Sequence, residues 1–101
     1  MHFVYVIFSQ NTNKFYIGET PDVLTRLAFH NDIGKNTNST KSGIPWEIFW
    51  FLEVGDRSLA RRIETHLKKM KSKKYLEDLK KHPSISENLV EKYKGVPGSP
   101  R

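Results

Sequence analysis

Apolar and polar positions alternate along the chain in blocks that predict its elements. From Phe3 to Phe8 the residues are an unbroken run of β-branched and aromatic side chains, and a second short run, Phe15-Tyr16-Ile17, follows the polar stretch Ser9-Gln10-Asn11-Thr12-Asn13. This pattern predicts two strands joined by a hairpin. Successive side chains in a strand point to opposite faces, so pairing the strands fixes which residues share a side. One pairing puts Val4, Val6, Phe8, Phe15 and Ile17 on a wholly apolar face and leaves Phe3, Tyr5, Ile7, Lys14, Tyr16 and Gly18 on the other. The opposite parity would mix Lys14 and Gly18 into the apolar set. The first pairing is therefore expected, and it places Tyr5 and Tyr16 on the same side of the sheet.

Thr20-Pro21 reads as a helix start, because Thr can accept from the free amides of the first turn and Pro at the first helical position gives up no hydrogen bond. Val23, Leu24, Leu27 and Ala28 form a stripe at helical spacing, with Gly34 as the expected end. Gly34 to Pro45 reads as a polar loop long enough to suggest a binding role. Trp46 to Glu53 predicts a third strand, apolar on both faces apart from Glu47 and Glu53, and so central or covered by helices. Asp56 or Ser58 caps a second helix with the stripe Leu59, Ile63, Leu67 and Met70. Tyr75 to Lys81 suggests a short third helix that stops near His82-Pro83. Ser84 to Lys94 has weak helical character through Ile85, Leu89 and Val90. The expected order is β-β-α-β-α-α: a small α/β domain whose three-stranded, mainly antiparallel sheet is flanked by helices. Residues 1–94 are expected to form one domain and 95–101, rich in Gly and Pro, a flexible tail.

Composition narrows what such a domain does. The chain has 101 residues, enough for one modest core, and 12 % of them are aromatic, which argues against disorder. It contains no Cys, which excludes disulfides, zinc knuckles and thiol nucleophiles. No apolar run approaches the roughly 20 residues of a membrane span, and the start lacks a secretory pattern, so a soluble cytoplasmic protein is expected.

The net charge is +6, and it is concentrated. Between His66 and Lys81 lie seven lysines (Lys68, Lys69, Lys71, Lys73, Lys74, Lys80 and Lys81) against Glu77 and Asp78, so this segment holds +5 of the +6. A focused positive patch is the electrostatic footprint of nucleic-acid binding. A solvated helix face and a segment lying on anionic membrane are the other readings of the same cluster. The apolar stripe of the second helix is needed for the core, which weighs against the membrane.

One spacing carries the candidate chemistry. Phe3-Val4-Tyr5, ten further residues and Tyr16-Ile17-Gly18 resemble the two triplets that name the GIY-YIG nuclease family. Arg26 and then His30-Asn31 follow in the first helix, Pro45-Trp46 opens the third strand, and Asp56-Arg57-Ser58-Leu59-Ala60 leads a helix that contains Glu64. The resemblance runs from about Phe3 to Lys74 and is closest to the small stand-alone members. Phe3 and Val4 stand where the family's first triplet has glycine and isoleucine.

The resemblance implies a metal-dependent endonuclease that hydrolyses DNA phosphodiester bonds, in a DNA repair or recombination setting. Tyr5, Tyr16, Arg26, His30 and Glu64 are its implied catalytic residues, with Glu64 holding a single divalent ion, Mg²⁺ or Mn²⁺. The residue types suit those roles. One carboxylate completed by water and phosphate is a typical Mg²⁺ site, and the planar fork of Arg matches phosphate oxygens. Arg26 and His30 are four residues apart and so share a side of their helix. A phenol with pKa near 10 is a poor base at neutral pH unless cations favour its ionised form, and the division of labour between the two tyrosines is open.

Gly18, Lys41, Lys68, Lys71, Lys73 and Lys74 are the expected nucleic-acid contacts; Thr40 and Lys41 resemble a recurrent Thr-basic feature of the family. Asn88 is a candidate for an asparagine that some members carry late in the domain. A bare domain has little surface for reading base sequence, so branched, flapped or damaged DNA recognised through its backbone and shape is the expected substrate. The competing readings are a non-catalytic nucleic-acid-binding module on the same scaffold and an interaction protein using Trp46 and Trp50.

Overall fold

The computed structural model describes residues 1–94; the expected tail, 95–101, lies outside the described residues. The element order is β1 (His2–Ser9), β2 (Lys14–Thr20), α1 (Val23–His30), a short 3₁₀ turn (Ser39–Gly43), β3 (Trp46–Val54), α2 (Arg57–Met70), α3 (Lys73–Lys81) and α4 (Pro83–Lys94). The three strands form one antiparallel sheet in the order β2-β1-β3. This is the expected α/β architecture with a fourth helix added.

β1 lies in the middle and is covered on both faces, which is why its sequence is apolar without alternation. Its pairs with β2 include Tyr5 with Gly18, Ile7 with Tyr16 and Val6 with Ile17, the register that the apolar pattern demanded. Directly paired residues point the same way. Tyr5 and Tyr16 therefore share a face.

The main core lies on the opposite face. Val4 and Val6 pack there with Ala60, Ile63 and Leu67 of α2, Leu76 and Leu79 of α3 and Leu89 of α4. α2 and α3 are capped at their N-termini by Asp56 and Ser72, whose side chains accept from the amides of Leu59 and Tyr75. A smaller cluster of Tyr5, Ile7, Val23 and Trp46 fills the space between α1 and the site-bearing face.

Five local expectations are corrected. α1 starts after Asp22, whose side chain accepts from the Thr25 amide, while Thr20 braces Asp22 through its hydroxyl. It ends at His30 rather than Gly34, because Asn31 caps it. Leu24 is 72 % exposed and Ala28 is exposed, so the buried side of α1 runs through Val23 and His30 instead. β3 is an edge strand: Phe49, Trp50 and Leu52 pack against the main core, but Phe51 on the other face is 53 % exposed. On α2, Met70 is exposed and Ala60 takes its place in the stripe. A short side chain lets the helix backbone approach the sheet.

Ile63 and Leu24 separate buried from exposed apolar positions. Ile63→Ala is expected to cost about 2–5 kcal/mol in urea unfolding, whereas Leu24→Ala should change stability by no more than about 0.5 kcal/mol. Equal losses would contradict this placement of the core.

Candidate active site

Tyr5 is the centre of the site and is only 2 % exposed. Its ring lies across the backbone of β2 at Gly18: a Cβ there would meet the Tyr5 hydroxyl oxygen at 2.6 Å. Contacts this short do not occur, so Gly18 is a glycine because Tyr5 occupies the side-chain space. This corrects the expectation of an open phosphate contact at Gly18, which is buried beneath the phenol.

The hydroxyl of Tyr5 is held from the other side by His30, whose Nε2 lies 2.9 Å away. His30 Nδ1 is 3.0 Å from the Thr40 hydroxyl, which also accepts from Asn36 Nδ2 at 2.9 Å. Asn36 Nδ2 donates to the His30 carbonyl at 2.7 Å, and its Oδ1 accepts from the Asn38 amide at 2.8 Å. His30 and Asn36 are fully buried and Thr40 nearly so. Among the described residues no buried side-chain nitrogen or oxygen lacks a partner. This closed network explains the long loop: it must fold back far enough to place Asn36 and Thr40 behind His30. Asn31 fastens the end of that loop by accepting from the Trp46 amide at 2.6 Å and donating to its carbonyl at 2.9 Å.

The network revises two sequence expectations. Thr40 does not face a phosphate, because its hydroxyl is committed to His30 and Asn36 in the interior. His30, expected as a catalytic residue, is fully buried and grips Tyr5 from behind. Asn36 went unnoticed in the sequence, where one Asn among several polar loop residues carries no distinguishing signal.

Tyr16 completes an aromatic cluster, with its ring centroid 6.4 Å from Tyr5 and 5.0 Å from His30. It is half-buried, so of the two tyrosines it is the one that reaches the surface. Arg26, also half-buried, projects from α1 with its guanidinium 4.7 Å from the Phe29 ring centre. Burial pushes the Tyr5 pKa up to about 12, against the pull of Arg26; the charges of Tyr16 and Glu64 add to the rise. His30 is driven down to about 4, chiefly by burial and secondarily by Arg26. At neutral pH the site thus contains a protonated phenol beside a neutral imidazole.

Glu64 comes from α2, which packs under β1 and β2. It does not pair with Arg26. Its carboxylate, 17 % exposed, holds Lys68 Nζ at 2.8 Å through Oε2, one helical turn away. Among the described residues Oε1 has no hydrogen-bond partner, and no group of three or more His, Asp or Glu forms a metal cage. One partly exposed carboxylate with a free oxygen fits an ion that keeps most of its water, the habit of Mg²⁺.

The expected backbone contacts separate into two groups. Lys68, Lys71 and Lys73 join Lys14 around a groove of about 270 Å³ at the open edge of β2. Lys73 Nζ also donates to the Asn13 carbonyl at 2.9 Å. Lys41 is exposed on the 3₁₀ turn, and Lys74 turns to Asp78 at 3.1 Å, outside that groove. Asn88 is exposed on α4, beside Glu87 and Glu91, and does not join the site.

The imidazole gives a pH prediction. Unfolded, His30 binds its proton near pH 6.5; folded, only near pH 4, so between those values the unfolded chain holds more protons. Stability supplied by neutral His30 is complete above about pH 6.5 and is lost as pH falls toward 4, by an amount on the order of 3 kcal/mol. Urea unfolding across this window should show a steeper decline for the wild type than for His30→Gln. Parallel curves would contradict the buried, neutral assignment.

These features stand in chain order in a known family. The family model for the GIY-YIG catalytic domain matches residues 1–76, which include every residue of the cluster from Tyr5 to Glu64. No curated protein and no solved structure gives a significant match. No helix among the described residues is long and apolar enough to cross a membrane. Three-quarters of the chain matches that single model, and the three-stranded antiparallel sheet flanked by helices is consistent with its fold: the chain belongs to the GIY-YIG catalytic-domain family, whose members are nucleases.

Proposed function

We propose that this protein is a divalent-metal-dependent endonuclease that hydrolyses DNA phosphodiester bonds and selects substrate by backbone shape rather than base sequence. The observation that carries the reading is Tyr5 itself: packed over Gly18, gripped by His30 and flanked by the Tyr16 ring, with the charges of Arg26 and Glu64 both acting on its hydroxyl.

Each side chain has a defined task in this reading. Arg26 holds the scissile phosphate by its non-bridging oxygens, as a planar and permanently charged fork does best. Glu64 would hold the divalent ion, Mg²⁺ or Mn²⁺, whose contribution when bound would be positive charge that stabilises the transferring phosphoryl group. Tyr16, the more accessible phenol, meets the attacking water or the phosphate. Tyr5 stays protonated at neutral pH and serves as a fixed hydroxyl, with His30 Nε2 within proton-transfer distance and Arg26 favouring its ionised form. His30 positions Tyr5 and does not touch the substrate.

The lysines around the β2 edge extend the site along a backbone. Lys14, Lys68, Lys71 and Lys73 line one groove, and Lys68 also holds Glu64; a group of cations of this kind grips phosphates and carries no base readout. Branched, flapped or damaged DNA is the substrate class that such a surface suits, and repair or recombination the corresponding setting.

One observation favours the second reading, a nucleic-acid-binding module without catalysis. Glu64 is already neutralised by Lys68, and metal binding must compete with that pair. The two readings separate in one experiment. Labelled single-stranded, duplex and flap DNA is incubated with the protein in Mg²⁺, Mn²⁺ or chelator. Cleavage should require metal and fall by roughly 10²–10³-fold or more in Glu64→Ala while DNA binding persists. Undiminished cleavage by Glu64→Ala refutes the assignment; salt-sensitive binding without cleavage by either protein supports the binding module.

A further inference from the structure

A second cationic feature lies outside the site. The outer surface of α2 carries an open groove of about 580 Å³ lined by Arg57, Arg61, Arg62 and Lys69, with His66 and Tyr93 of α4 at its floor. None of its lining residues is an acid. Arg57 reaches Glu19 at 3.5 Å and Arg62 donates to the Tyr93 carbonyl at 3.4 Å, whereas Arg61 and Lys69 have no ion-pair partner among the described residues. The floor is rigid. His66 Nδ1 and the Tyr93 hydroxyl are 2.9 Å apart, and His66 Nε2 and the Tyr75 hydroxyl 3.2 Å, so one imidazole ties α2 to α3 and α4.

Like charges gathered on one helix repel, so an anionic ligand is the natural occupant. Guanidinium forks suit phosphate oxygens, and a groove open along a helix suits a chain rather than a single small anion. The groove is also continuous with the proposed active site. Arg57, Arg61, Glu64 and Lys68 follow one another at spacings of four, three and four residues and so form one ridge of α2. Along the helix axis Arg57 stands about 10 Å to one side of Glu64 and Lys69 about 7.5 Å to the other, so the groove runs alongside the site.

We infer that the arginine groove on α2 is a second polynucleotide-backbone site, gripping the strand beyond the scissile phosphate of the proposed active site. This rests on the nuclease reading and adds a substrate requirement: the strand must be long enough to lie along the ridge. A dinucleotide has one internucleotide phosphate, and with that phosphate in the active site none is left for the groove.

The test uses the full chain and the double variant Arg61→Gln/Lys69→Gln, whose two positions make no ion pair that the fold needs. Two measurements are made with single-stranded DNA: binding of a 20-mer in chelator over a range of salt, and Mg²⁺-dependent cleavage of the 20-mer and of a dinucleotide. Loss of two phosphate contacts should lower the slope of log affinity against log salt by about 1.4. The kcat/KM for the 20-mer should fall about tenfold or more, while dinucleotide cleavage stays at the wild-type value. Wild-type slope and wild-type 20-mer cleavage in the double variant would overturn the inference, leaving the groove to some other anion. If the wild type cleaves neither substrate, the nuclease reading fails, and the binding slope still decides the groove.

Discussion

The fold and the site meet in one buried chain of hydrogen bonds, Tyr5 to His30 to Thr40 to Asn36. It links the central strand, the first helix and the long loop, and every member is both buried and satisfied. Such a network is demanding. Removing one partner leaves the next with an unpaired polar group, which costs about 1–3 kcal/mol, so the four residues hold their geometry together or not at all. Its consequence for chemistry is positional. His30 draws the Tyr5 hydroxyl over Gly18, and that position brings the phenol within the influence of Arg26, Tyr16 and Glu64.

The two faces of the sheet divide the work. Val4 and Val6 anchor the face on which α2, α3 and α4 bury the main core. Tyr5 and Ile7, the alternate residues of the same strand, face α1 and a smaller cluster that Trp46 closes through its indole bond to the Thr40 carbonyl. Stability therefore resides mostly on one side and the candidate chemistry on the other. Glu64 joins them: it sits on the helix that supplies the core stripe, at the edge of that stripe, about 100° around from fully buried Ile63.

Much of this was legible in the sequence, for physical reasons. The register of the hairpin followed from the apolar set, since only one parity keeps Lys14 out of the core. The start of α2 followed from the Asp56 cap and the end of α3 from His82-Pro83, and the family from the spacing of its tyrosines; the Ser72 cap that starts α3 at Lys73 was not read. What stayed hidden depends on tertiary contact. Leu24 carries the helical period but points to solvent, because α1 offers the sheet a narrow side that ends in His30. Asn36 and Thr40 look like ordinary loop residues until the loop folds back on His30. Gly18 resembled a phosphate perch until the Tyr5 ring was found lying across it. The lysine cluster, read from the sequence as one patch, divides between the β2 edge, the Glu64 carboxylate and Asp78.

The electrostatic logic of the account converges on Glu64, a partly exposed carboxylate that holds Lys68 and acts on the ionisation of Tyr5. Its central claim is that Tyr5, Tyr16, Arg26 and Glu64 form one ion-binding cleft. Titration with Mn²⁺, followed through paramagnetic broadening of backbone amide signals, reads this directly. The account predicts that signals of Tyr5, Tyr16 to Gly18 and Glu64 broaden first, and that the effect disappears in Glu64→Ala. Broadening centred instead on other carboxylates, such as Asp32 or Glu77 and Asp78, and unchanged in Glu64→Ala, would contradict it.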